Sequence, residues 1–118
     1  RPLTLSGFEI GAKIKTGIPL IRNEHIQNSP VKDVFRISIP LDKQDHEGRM
    51  SWDQTAVLVG VVGYKPYYTL DKGTMSVDAE GHNSWNRKPK KHQRLMESLP
   101  AAVVEARINT LMMHQPAR

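Results

Sequence analysis

Apolar and polar positions alternate at Leu3-Thr4-Leu5, and Ser6-Gly7 follows, so a short strand is predicted there. Ile10 and Ile14 stand four apart, the spacing of one helix face. They predict a helical turn or two over 8–15, ended by Gly17 and Pro19. Ser29-Pro30 is a helix start: a serine side chain can cap, and proline at the first helical position has no N–H to leave unsatisfied. Val31, Val34, Phe35 and Ser38 trace one face behind it, and Pro40 stops the helix. Residues 42–50 carry no apolar period and predict an exposed loop.

Ser51-Trp52-Asp53-Gln54 is the sharpest local signal. Serine followed three residues later by glutamine is a capping box, and an acid in the first turn suits the helix dipole. The apolar run 56–62 behind it is rich in β-branched residues, and periodicity cannot separate buried helix from buried strand in it. The cap decides for a buried helix over 52–63. Residues 67–70 and 74–77 read as strands joined by a turn at Asp71-Lys72-Gly73. With a second turn at 79–82 and a short strand at Ser84-Trp85, they predict a small antiparallel meander. Leu95, Leu99, Val103, Ile108, Leu111 and Met112 supply the apolar side of a closing helix over 89–113. Pro100 breaks it, and Ser98 caps its second half.

These elements amount to one α/β domain or fragment spanning 1–118. Only 38% of residues are hydrophobic, which suits a modest core or a piece cut from a larger body. An opening on Arg1-Pro2 points the same way. The chain has no cysteine, which removes disulfide scaffolds, thiolate zinc sites and cysteine nucleophiles. It leaves both cytoplasm and periplasm open as compartments. The longest apolar stretch is too short to span a bilayer, so no membrane partner is expected.

Lys and Arg number 17 against 12 acids, a net charge of +5, which raises nucleic-acid binding as a question. The cations gather at Arg87, Lys88, Lys90, Lys91 and Arg94 with His92 among them. No aromatic ladder or RNA-binding signature accompanies them, so they read as a solvated loop or helix start and no nucleic-acid partner is expected. The five histidines, His25, His46, His82, His92 and His114, have no ligand spacing. Glu80 and Glu97 have no partner that suggests a glycosidase pair. Gly60, Gly63 and Gly73 match neither phosphate-loop spacing.

The order of segments nonetheless resembles a known family. Leu3-Thr4-Leu5-Ser6-Gly7-Phe8-Glu9-Ile10-Gly11 is similar to the late strand-and-helix entry of inosine-uridine-preferring nucleoside hydrolases. Ser51-Trp52-Asp53-Gln54-Thr55-Ala56, a hydrophobic helix, a β-meander and a closing stretch ending Ile108-Asn109-Thr110-Leu111-Met112 follow in the family's order.

The resemblance implies the C-terminal portion of an open-sheet α/β fold with its active site at the strand C-termini. It implies N-glycosidic cleavage of nucleosides, with a calcium ion holding the ribose hydroxyls and the attacking water. Asp53 matches the family's late carboxylate metal ligand. Trp52 stands where many members carry the histidine that protonates the leaving base, so an indole that stacks on the nucleobase is expected instead. The Asp-rich motif and the catalytic base are not in this chain. Residues 1–118 alone are therefore expected to be inactive, to hold no calcium tightly, and to pair with the missing N-terminal part. Homo-oligomers are common in the family. A non-catalytic binding or assembly module on the same scaffold is the alternative. Asp53 as a helix-terminal acid and Trp52 as a staple onto the core are the plain structural readings.

Overall fold

The computed structural model describes residues 3–41 and 46–117. It is a mixed α/β fold with a four-stranded mixed sheet and five α-helices among the described residues. Strand β1 (Leu3–Leu5) leads into helix α1 (Phe8–Ala12), strand β2 (Lys15–Thr16) and helix α2 (Ile18–Arg22). Helix α3 (Pro30–Ser38) ends in a 3-10 turn, Ile39–Leu41. Strand β3 (Arg49–Met50) then enters helix α4 (Trp52–Val62). Strands β4 (Tyr68–Val77), β5 (Asn83–Asn86) and β6 (His92–Glu97) precede the closing helix α5 (Ala101–Met112).

The sheet order is β1-β6-β4-β5, with β1 parallel to β6 and the other pairs antiparallel. Leu95 and Tyr68 point from one sheet face into a core closed by Ile10, Ile14, Leu58, Val104 and Ile108. A second cluster, Leu20, Ile26, Phe35 and Ile39, lies among α2, α3 and the 3-10 turn. Met112 packs against both clusters, so α5 joins them. The same helix tethers the segment before α2. Glu105 Oε1 accepts from Lys15 N at 2.6 Å, and the buried Asn109 Oδ1 accepts from Gly17 N at 2.9 Å.

Several expectations hold. β1 and the short strand at Ser84-Trp85 are present, and α4 is a helix, though not a buried one: only Thr55 and Leu58 of it are buried, and Val57, Val61 and Val62 face outward. Ser29 caps α3 through Lys32 N at 3.2 Å, with Pro30 at the first helical position. Others are corrected. Residues 89–99 are not helix: β6 lies between β1 and β4, whose backbones supply the pairing that decides strand over helix. Pro100 precedes α5 as its N-cap residue and breaks no helix, and Ser98 caps nothing.

Asp71-Lys72-Gly73 is no turn. It runs mid-strand in β4, where each residue faces one of β6, and the chain reverses only at 78–82. Residues 49–50 are a strand paired with β2, and 42–45 lie outside the described residues. α1 stops at Ala12, while Gly17, at φ 107°, opens α2, a helix the apolar pattern did not announce. Ser51 is the residue before α4 but makes no side-chain cap bond. Its hydroxyl donates to Arg49 O at 2.9 Å and lies 2.7 Å from Thr16 Oγ1, so it holds β2 to β3.

Candidate functional site

The two residues singled out by sequence open α4, and the β1–α1 corner packs directly against Trp52. Ser51 N donates to Gly11 O at 3.1 Å, and the Trp52 indole N–H donates to Phe8 O at 2.9 Å. The Phe8 and Trp52 rings stand 5.2 Å apart and tilted by 36°, an arrangement favoured by aromatic quadrupoles. Gly11 makes this approach possible. A Cβ there would lie 2.6 Å from Trp52 Cγ and 2.7 Å from Trp52 Cα. Half-buried Trp52 is thus clamped, with its polar end already employed.

Asp53 differs from its neighbours. Ser51 and Thr55 are buried and bonded, Thr55 Oγ1 donating to Ser51 O at 2.6 Å. Asp53 is exposed, and its side chain makes no hydrogen bond or ion pair among the described residues. Its place in the first turn of α4 favours negative charge, because the first N–H groups there lack helical acceptors. With Gln54 it stands beside an apolar groove of about 410 Å³ between α4 and α5. Val57, Val61, Val62, Leu111 and Met112 line that groove, and Val61 is 78% exposed.

Among the described residues no three His, Asp or Glu side chains gather as a metal would need. Calcium takes six to eight oxygens, so the described residues do not by themselves fit that ion. The histidines stay apart: His82 pairs with Asp78 at 3.3 Å, and His92 Nδ1 accepts from Met75 N at 3.1 Å. Glu97 pairs with Lys13 at 3.1 Å, and Arg87, Lys88, Lys90 and Lys91 are exposed in the β5–β6 connection.

A second arrangement escaped the sequence reading. A cavity of about 320 Å³ opens where β1 ends, bordered by Ser6, Phe8, Glu9, Met75, Trp85 and Arg94. Ligands of open α/β sheets collect beyond strand carboxyl ends. Trp85 lies close over Gly73, where a Cβ would meet its indole at 2.6 Å. Its N–H donates to Asp71 Oδ2 at 3.1 Å. Arg94 Nε donates to the same oxygen at 3.0 Å, Nη2 lies 3.0 Å from it in the ion pair, and the guanidinium stacks over the Trp85 ring at 4.9 Å. The signal that pointed here was Gly73 inside a strand pattern, which marks a close approach as readily as a turn.

No family model matches the chain, and neither does any curated protein or solved structure.

Proposed function

We propose that this chain is the C-terminal portion of a nucleoside N-ribohydrolase-like protein with an open α/β sheet. In this reading Asp53 is one carboxylate of a calcium-holding cluster, and Trp52 borders the nucleobase. The observation that carries the proposal is the exposed carboxylate of Asp53 at the start of α4, without a partner among the described residues, while Ser51, Trp52 and Thr55 around it are engaged in structural bonds. One carboxylate does not hold calcium. The remaining ligands and the base belong to residues outside this sequence, and residues 1–118 alone turn over no nucleoside. A calcium ion held by such a cluster would lower the pKa of a bound water and so would supply the nucleophile. Asp53 contributes charge at a helix end that favours it. Trp52, its N–H given to Phe8, offers only ring surface to a base. The nucleoside is the substrate, and the N-terminal part of the protein, with homo-oligomer formation, supplies the neighbouring surface; no nucleic acid or membrane takes part.

The test is Asp53→Ala in the intact parent. Calcium affinity and ribose release from inosine, uridine and adenosine fall together if the reading is right. Unchanged affinity and rate leave Asp53 as a helix-terminal acid. A non-catalytic binding or assembly module is the second reading. The exposed valines of α4 and the structural bonding of Trp52 favour it, and a parent that binds no calcium would select it.

A further inference from the structure

We propose that the cavity at the end of β1 binds an uncharged planar heteroaromatic ring, stacked on Phe8, and excludes anionic ligands. It rests on the nucleoside reading only for the choice of nucleosides as the heteroaromatic probes. Three observations carry it. First, Phe8 is 72% exposed although its neighbour Trp52 clamps its backbone and tilts against its ring. An aromatic ring held in place yet left open on one side is a stacking platform.

Second, the opposite wall is rigid and electrically neutral. Trp85 is fixed by Gly73 and Asp71, and the Arg94 charge is cancelled by the Asp71 carboxylate. Glu9 is the one lining charge without a counter-charge among the described residues, so the cavity repels phosphates and carboxylates. Third, Ser6 Oγ is buried in the wall with no hydrogen-bond partner among the described residues. A buried hydroxyl without a partner is uncommon, and a ring nitrogen or exocyclic oxygen would satisfy it once the hydroxyl turns toward the cavity. The volume, about 320 Å³, lies at the lower end of small-molecule pockets and suits a ring with a modest substituent.

The experiment titrates the full chain with inosine, adenosine and inosine 5′-monophosphate. It follows the indole N–H signals of Trp52 and Trp85 by nuclear magnetic resonance. Both nucleosides are expected to move the Trp85 signal saturably. Phe8→Ala, at an exposed position that leaves the far-ultraviolet circular dichroism unchanged, weakens them by about tenfold or more, the loss typical of a base–aromatic stack. The monophosphate binds more weakly than inosine, and Glu9→Gln narrows that gap. Three results overturn the inference: a Trp85 signal that ignores both nucleosides, a Phe8→Ala variant of unchanged affinity, or a monophosphate that binds as well as inosine. The hydrolase reading fails separately. If binding follows Phe8 but the calcium-loaded parent releases no ribose, the cavity stands and the hydrolase falls. If Asp53→Ala removes turnover while Phe8→Ala leaves nucleoside affinity intact, the reverse holds.

Discussion

Gly11→Ala adds one methyl group at the closest approach of α1 and α4. The new carbon would sit 2.6 Å from Trp52 Cγ and 2.7 Å from Trp52 Cα. The first atom can swing away with the indole, but the second is backbone, so the helices themselves must part. Overpacking of this kind costs about 1–3 kcal/mol. Parting also lengthens the bonds from Ser51 N to Gly11 O and from Trp52 Nε1 to Phe8 O, each worth about 1 kcal/mol net. Alanine in place of helical glycine returns about 1 kcal/mol. With both bonds lost the balance is a loss of about 2–4 kcal/mol, a drop of several degrees or more in midpoint for a domain of this size.

Gly60→Ala is the control. It lies in α4 with nothing within 4 Å of the added carbon, so only the propensity gain of up to about 1 kcal/mol remains. Thermal and urea unfolding of the two variants should therefore move in opposite directions. A Gly11→Ala protein that melts at or above the wild-type temperature would refute the account of the corner.

Tyr68 gives a pH prediction. Its hydroxyl is buried without a well-placed partner among the described residues, and desolvation, opposed by nearby Thr55 and aided by the Glu97 charge, raises its pKa above 10.0. The folded state thus favours the neutral phenol, and its contribution is complete below the unfolded value and fades as pH climbs through the folded one. Urea midpoints should fall from about pH 10 upward in the wild type, and less so in Tyr68→Phe. At neutral pH that variant matches or exceeds wild-type stability by up to about 1 kcal/mol. Asn109→Ala strands the buried Gly17 N–H and should cost about 1–3 kcal/mol in urea unfolding. Val57→Ser combined with Val61→Ser, at positions 64% and 78% exposed, should leave urea stability within about 0.5 kcal/mol per site. The same pair should reduce self-association in light scattering if the groove beside α4 is a contact surface.

Local chemistry was legible wherever it acted alone. Ser29-Pro30 announced α3, and Ile10 and Ile14 both reach the core, though Ile14 lies past the end of α1. Residues 89–99 were misread because Leu95 and Leu99 sit at helical spacing, whereas the partners that make 92–97 a strand lie at 3–5 and 68–73. Asp71-Lys72-Gly73 failed for the same reason: its turn chemistry is real, but Asp71 is consumed by Arg94 and Trp85, and Gly73 by the indole resting on it. Asp53 and Trp52 were found through a capping signal whose cap is not formed, since Ser51 spends its hydroxyl on Arg49 and Thr16. Phe8, Trp85 and Arg94 come together only through the sheet, and no linear spacing links them.

The parallel pairing of β1 with β6 also sets an order of assembly. Leu3 meets His92, a closure across 92 − 3 = 89 positions, whereas Val77 meets Asn83 across 83 − 77 = 6. Closure entropy rises with the logarithm of length, so the β4–β5 hairpin forms early and the three residues of β1 dock last. Being last and at the sheet margin, they are also the first to let go. Amide protons of 3–5 should exchange with solvent well ahead of those in 68–73, and the opening at the end of β1 should come and go with them.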